Sequence, residues 1–131
     1  MIDTDRAWLA GIIDGEGHIA ITKIKPPHQR RRNPSYQVLV RVAMTHLLTM
    51  QRVQELMGGN LRTRKGRQAQ HNDCYECNRA DNNAIVVLQS ILPYLITKRA
   101  QALLAIDFRN TPVGQGEDFF LRMKVLNQRG K

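Results

Sequence analysis

Residues 8–17 read WLAGIIDGEG, and this stretch sets the expectation for the fold. Its large apolar residues recur with i, i+3 and i+4 spacing, which predicts one buried face of a helix formed by Trp8, Leu9, Ile12 and Ile13. Asp3 or Thr4 can cap that helix, and Gly15 and Gly17 can end it. Small residues and an acid occupy the other face, namely Ala7, Ala10, Gly11 and Asp14. Because small residues let another backbone come close, we expect this face to pack against a second helix.

Composition points to a polyanionic partner. The 131 residues, enough for one domain with a single core, carry 20 Lys and Arg against 11 Asp and Glu, a formal charge of +9. With no long apolar run and no amphipathic Lys-rich helix, we expect nucleic acid rather than membrane, although a basic surface that only aids solubility remains an alternative. We find no signal peptide or transmembrane segment, and predict a cytoplasmic or nucleoid-associated protein with two free cysteines in a reducing compartment.

Periodicity along the chain predicts an α+β fold. Residues 18–25 and 36–44 alternate as strands, and residues 60–66 and 74–79 form a second, shorter hairpin. Helices are expected over residues 45–57, from Asp81 to Pro93, over residues 98–108 and over residues 116–129. The order is αββαββα followed by C-terminal helices, which predicts a mostly antiparallel sheet with helices on one face. We treat residues 1–131 as one domain, with a core over about residues 3–110 and a C-terminal helix over about residues 116–129.

The uncovered sheet face is predicted to be polar and cationic. Residues at the two-residue strand spacing place five such side chains on it: Thr22, Gln37, Arg41, Arg62 and Arg64. A basic loop adds Arg30, Arg31 and Arg32, which cannot belong to a core. An antiparallel ribbon with this surface can enter the major groove of DNA and contact base edges.

The stretch LAGIIDGEG, residues 9–17, resembles the LAGLIDADG motif of homing endonucleases. The motif opens the αββαββα order of that family, and the segments LMGG and PYLITKRAQALL also resemble family positions, so the likeness runs from Trp8 to about Phe108. It implies a saddle-shaped antiparallel sheet and a site-specific double-strand DNA endonuclease of the homing type. One motif per chain implies a homodimer in which two motif helices pack through Ala7, Ala10, Gly11 and Asp14.

The resemblance also assigns roles within the site. Glu16 is implied to bind Mg²⁺, for which Mn²⁺ can substitute, together with the backbone carbonyl of Gly15. Lys98 matches a basic residue near the scissile phosphate and has a catalytic role in this reading. His18 is expected to face DNA, while Asp14 is expected to serve the helix ends or the dimer contact rather than a metal.

Two-fold symmetry predicts a palindromic or near-palindromic target. A strand of about eight residues extends about 27 Å, which matches about eight base pairs at about 3.4 Å each. Two half-sites of this length, one for each subunit, and the base pairs between them then give a target of roughly 20 base pairs.

One departure from the family pattern leaves alternatives open. The family often has a Gln or Asn at the end of the second strand, and here that position falls on Met44 or Thr45. Either Thr45 or Arg41 substitutes, or cleavage is slow or lost. The alternatives are a cleavage-deficient DNA-binding regulator and an intron RNA maturase, with RNA as the partner in the latter case; a ribosome-associated protein would explain the charge alone.

A zinc site is a weaker interpretation of residues 71–77, HNDCYEC. Only His71, Cys74 and Cys77 are available, whereas structural zinc usually takes four ligands. In a strand, residues three apart point to opposite faces. We therefore expect Tyr75 and Cys77 to belong to the core.

Overall fold

The computed structural model describes residues 1–25, 34–66, 73–112 and 114–129. Its elements are α1 (Asp3–Glu16), β1 (Gly17–Ile24), β2 (Ser35–Met44), α2 (Leu47–Met57), β3 (Leu61–Arg64), β4 (Cys74–Ala80), α3 (Asp81–Ile91), α4 (Arg99–Asn110) and α5 (Gly116–Arg129), with a 3₁₀ turn over Leu92–Tyr94. The predicted order αββαββα followed by C-terminal helices is confirmed. In the part of the chain that is described, no helix is both long and apolar enough to cross a membrane.

The four strands form one antiparallel sheet in the order β1-β2-β4-β3. The β1–β2 pair and the β3–β4 pair each supply one edge strand and one central strand. Ile19 lies opposite Val40 and Ile21 opposite Val38, and all four are buried. The intervening residues point to the other face, so the alternation predicted from sequence is present in the strands.

All the helices pack on the same side of the sheet, as predicted. The strand residues beneath them are fully buried and include Val38, Val40, Val42 and Cys77. Helix α5 also protects the edge strand β1, because the Asn127 amide donates to the Ile19 carbonyl at 3.0 Å. An uncovered edge carbonyl would otherwise be available to pair with another chain.

The two faces of α1 differ in part from the expectation. Leu9 and Ile13 are fully buried as predicted, but Trp8 is 38 % exposed, and Ala10 is fully buried inside its own chain. Ala10 was predicted to contact a partner, and this placement is wrong. Helix α1 packs against α3, β2 and the 3₁₀ turn, so its buried sector is wider than the large apolar residues alone indicated.

The residues that cap or begin the helices also differ from the predictions. Ile2 is the N-cap of α1 and makes no side-chain cap hydrogen bond, so neither Asp3 nor Thr4 caps it. Asp81 does not cap α3; it is its first residue, with a φ of 49°. Its carboxylate instead accepts from the Val38 amide at 3.3 Å and thereby joins α3 to β2. Helix α2 begins after His46, whose ring accepts from the Thr49 amide at 3.2 Å.

Gly17 alone terminates α1, because Gly15 is still helical. A Cβ at Gly17 would lie 2.7 Å from the Ile13 Cα and 2.8 Å from the Ile13 carbonyl oxygen, both backbone atoms that cannot rotate away. A Cβ at Gly15 would meet nothing within 4 Å. The turn from helix into strand therefore needs glycine only at position 17.

We expect Gly17→Ala to lower the free energy of unfolding by about 1–3 kcal/mol, the usual cost of overpacking a tight site. Denaturant titration measures this change. Gln128→Ala, at an exposed position of α5, is the control and should change stability by less than about 0.5 kcal/mol. Equal effects of the two substitutions would contradict the close approach at Gly17.

Candidate active site and nucleic-acid interface

The C-terminal end of α1 is fastened to the segment that leads into α4. The Asp14 carboxylate accepts from the Ile96 amide at 2.8 Å and from the Lys98 amide at 2.9 Å. The Lys98 ammonium in turn donates to the Asp14 carbonyl at 2.7 Å. Asp14 thus has its oxygens engaged with backbone donors, and Lys98 is held at the end of the motif helix.

Glu16, two residues after Asp14, is the last residue of α1, and it is exposed. Among the described residues it forms no ion pair. Gly15 is in the final helical turn, where carbonyl groups lack intrahelical partners. A carboxylate and backbone carbonyls at one helix end are hard oxygen donors of the kind that Mg²⁺ prefers.

The described part of one chain does not hold a complete set of metal ligands. Within the residues that the structure describes, no three His, Cys, Asp or Glu side chains are grouped closely enough to hold a metal ion. The donor set around Glu16 therefore fits a divalent cation only if further oxygen ligands come from elsewhere, such as a second copy of the chain or a phosphate.

His18 is the second residue of β1 and lies on the open face of the sheet, the side that no helix covers. It lies opposite Arg41 in the β1–β2 ladder. Its pKa is lowered from the usual value, first by burial and then by the positive charges of Arg41 and Lys98. The lowered pKa favours the neutral form of the imidazole.

The open face carries the residues that the strand alternation assigned to it. The register places on this side Thr22 opposite Gln37, His18 opposite Arg41, Arg62 opposite Glu76 and Arg64 opposite Cys74. Arg62 and Arg64 are exposed at the sheet edge. Arg30, Arg31 and Arg32, also predicted to contact DNA, lie outside the described residues.

Sequence reasoning missed Glu76 and Asn78, which lie on the same face. Their alternation with Cys77, which is fully buried on the helix side, could have placed them there. An acid in the middle of a cationic surface was not expected from a charge count, because net charge does not report where a single residue points.

Neither Met44 nor Thr45 can supply the Gln or Asn side-chain amide that the family often has at the end of the second strand. Met44 is opposite Tyr75 and packs against the core on the helix side, while Thr45 is exposed beyond the strand. Cys74 and Cys77 lie on opposite faces of β4, and His71 is outside the described residues. Tyr75 is partly buried against the core, and Cys77 is completely buried.

Large apolar side chains are exposed around α1. Trp8 borders a shallow groove together with Leu48 and His46 from the start of α2. Leu48 is 70 % exposed, and Ile96, whose amide donates to Asp14, is 85 % exposed. Ala7, Gly11 and Gly15, which follow one another at four-residue spacing along α1, are also exposed. The surface of α1 is thus an open small-residue stripe bordered by apolar side chains.

We expect Asp14→Asn to lower the free energy of unfolding by about 2 kcal/mol, because the amide cannot replace both charge-assisted hydrogen bonds to backbone donors. Denaturant titration measures the loss. Asp118→Asn, on an exposed face of α5, is the matched control and should change stability by less than about 0.5 kcal/mol. Equal stability of Asp14→Asn and the wild type would show that the hydrogen bonds from the Ile96 and Lys98 amides to Asp14 contribute nothing to folding stability.

Comparison with known proteins gives a result only at the level of structure. No family model matches the sequence, and no curated protein matches it. The homing endonuclease I-CvuI in complex with a DNA target superposes with a TM-score of 0.69 at 21 % identity, over 97 % of this chain and 80 % of that one. The archaeal intron-encoded homing endonuclease I-Vdi141I, complexed with DNA, gives a TM-score of 0.70 at 15 % identity, over 98 % and 85 % of the two chains.

The LAGLIDADG homing endonuclease I-GzeII, in complex with its DNA target, gives a TM-score of 0.66 at 13 % identity. The match covers 92 % of this chain and 43 % of that one. The chain has the LAGLIDADG homing endonuclease fold. In this LAGLIDADG fold, residues 9–17 form the end of α1 and its junction with β1, where Lys98 donates to the Asp14 carbonyl and His18 enters the sheet.

Proposed function

We propose that the protein is a homodimeric, Mg²⁺-dependent, site-specific double-strand DNA endonuclease of the homing type. The observation that carries this proposal is the end of α1. There an exposed carboxylate, Glu16, is left without an ion-pair partner among the described residues, while Lys98 is fixed close by through the Asp14 carbonyl.

Binding of DNA is supported by the open face of the sheet. Arg41, Arg62 and Arg64 lie on a face that no helix covers, and Thr22 and Gln37 extend the polar surface along β1 and β2. Cations attract the phosphates without regard to sequence, whereas forked and amide side chains on a ribbon can distinguish bases in the major groove. Structural neighbours of this chain were solved with DNA bound, which supports the same use of the fold here.

The chain's own residues would share the chemistry at the scissile phosphate. Glu16 and the Gly15 carbonyl would hold Mg²⁺, which supplies neutralisation of phosphate charge and an activated water. Lys98 uses one of its three donors on the Asp14 carbonyl, so two remain for the charge that develops on phosphate oxygens. Asp14 fixes the position of Lys98 and makes no contact with the reacting atoms in this mechanism.

A second copy of the chain completes the site. Gly11 and Gly15 have no atom within 4 Å of where a Cβ would stand, so the backbone of another helix can approach α1 closely there. Exposed Trp8, Leu48 and Ile96 border this stripe, and aromatic and aliphatic anchors beside a close contact are typical of stable interfaces. Two copies related by a two-fold axis would bring two Glu16 side chains together over a palindromic or near-palindromic target of roughly 20 base pairs.

A cleavage-deficient regulator or an intron RNA maturase is the second candidate function. Met44 favours it, because its thioether faces the core and offers no amide to organise water near the site. Incubation of the protein with Mg²⁺ and a randomised palindromic duplex library separates the candidates. Specific cut products support the endonuclease; specific binding without cutting supports the regulator, and binding confined to structured RNA supports the maturase.

A further inference from the structure

One acid lies within the basic open face. Glu76, on β4, is opposite Arg62 and, at 9 % exposure, is the one charged side chain that is buried among the residues that the structure describes. A carboxylate on a surface that meets phosphates would weaken binding unless it serves another purpose. Its contacts indicate what that purpose is.

Both oxygens of Glu76 are engaged. One accepts from the Arg64 guanidinium at 2.6 Å, and the other accepts from the Asn78 amide at 3.0 Å. The two partners differ in depth, because the side chain of Glu76 is 12 % exposed and that of Arg64 is 68 % exposed. The carboxylate thus lies at the base of the sheet surface, and the guanidinium extends outward from it.

This arrangement fixes a planar fork of donors. A guanidinium has five N–H groups, so the bond to Glu76 leaves donors free on its outward edge. Two such donors match the O6 and N7 acceptors of guanine in the major groove. An arginine held by a carboxylate loses less side-chain freedom on binding than one that is free to rotate.

Asn78 is oriented by the same carboxylate. Its NH₂ group points to Glu76, and its carbonyl oxygen is buried without a hydrogen-bond partner in the described part of the chain. Reversing the amide would place an oxygen against the carboxylate, so Glu76 determines which way Asn78 points. The three residues therefore form one connected polar group on the open face.

We propose that Glu76 is a positioning residue for base recognition, holding Arg64 in the orientation that reads one guanine in each half-site of the DNA target. This inference rests on the proposed DNA-binding function and adds to it a specified base. Glu76 acts through Arg64 and does not contact the base, because it is the deeper of the two side chains.

Selection of bound duplexes from a randomised library tests the inference, with the full chain and Ca²⁺ replacing Mg²⁺ so that binding is read without cleavage. Glu76→Gln has nearly the same shape but no negative charge, so it holds the Arg64 guanidinium only through a neutral and weaker hydrogen bond. We expect it to reduce guanine preference about tenfold at one position of each half-site, the scale of one bidentate contact. Affinity for a scrambled duplex should be equal or higher, because a negative charge is removed.

Arg64→Lys provides a second variant, which keeps the charge and loses the fork. It should lose guanine preference at the same position, and Glu76→Gln added to it should cause no further loss there. Glu55→Gln removes an acid from the exposed surface of α2 and is the matched control, with an unchanged preference expected.

The possible outcomes are distinct. An unchanged preference in Glu76→Gln, or a loss spread evenly over the half-site, overturns the positioning role. Additive losses in the double variant also overturn it, because Glu76 would then contact a base itself. If the wild type selects no sequence at all, the proposed function fails and this inference fails with it.

Discussion

Glu16→Gln is expected to abolish DNA cleavage and to leave DNA binding intact. The substitution removes the carboxylate charge at the end of α1 with little change in shape. A metal ion contributes several kcal/mol of transition-state stabilisation, so losing its protein ligand should slow cleavage by at least about 10³-fold. Binding should be equal or tighter, because an acid beside phosphate is repulsive unless a cation lies between them.

Single-turnover cleavage with Mg²⁺ and a parallel binding titration measure the two effects separately. Glu55→Gln is the control, because Glu55 is an exposed acid that pairs with Arg52 on α2. It should leave the cleavage rate unchanged. If Glu16→Gln still cuts the same site at the wild-type rate, Glu16 is not the metal ligand.

Gly11→Leu is expected to convert the proposed dimer to monomers without unfolding the chain. A Cβ at this position meets nothing within 4 Å, and replacing a helical glycine favours the helix by up to about 1 kcal/mol. In a two-fold dimer the added side chain occurs twice at the closest approach of the two helices. At about 1–3 kcal/mol for each overpacked site, the dissociation constant should rise on the order of 100-fold or more.

Sedimentation at micromolar concentration, together with the thermal midpoint, tests this expectation. Gln128→Leu places the same side chain on an exposed part of α5 and should leave the mass unchanged. Gly11→Leu should also lose cleavage, because each subunit supplies one Glu16. A Gly11→Leu protein that remains as dimeric as the wild type would exclude α1 as the shared contact.

The strand faces were the most predictable part of the site. A side chain alternates sides at every residue, so once Val38, Val40 and Val42 are assigned to the core, Gln37 and Arg41 must face away. The same rule separates Cys74 from Cys77. No tertiary information is needed, because the alternation is a property of the extended backbone itself.

The helix faces were less predictable. Spacing identifies which residues of α1 share a side, but the width of the buried sector depends on which elements pack there. Ala10 is buried and Trp8 is partly exposed because α3, β2 and the 3₁₀ turn determine how α1 is oriented. Asp81 similarly fits a cap signal in sequence, yet a distant strand amide takes its carboxylate.

By itself, the sequence determined the element order, the antiparallel sheet and the cationic open face, since these follow from local periodicity and charge. Only the tertiary structure decided that Asp14 binds the start of α4, that Lys98 lies beside the end of α1, and that Glu76 supports Arg64. The first two of these contacts join residues more than 80 positions apart. The third depends on the register of β3 against β4. Such pairings leave no local periodic signal, because they arise from how the completed elements pack together.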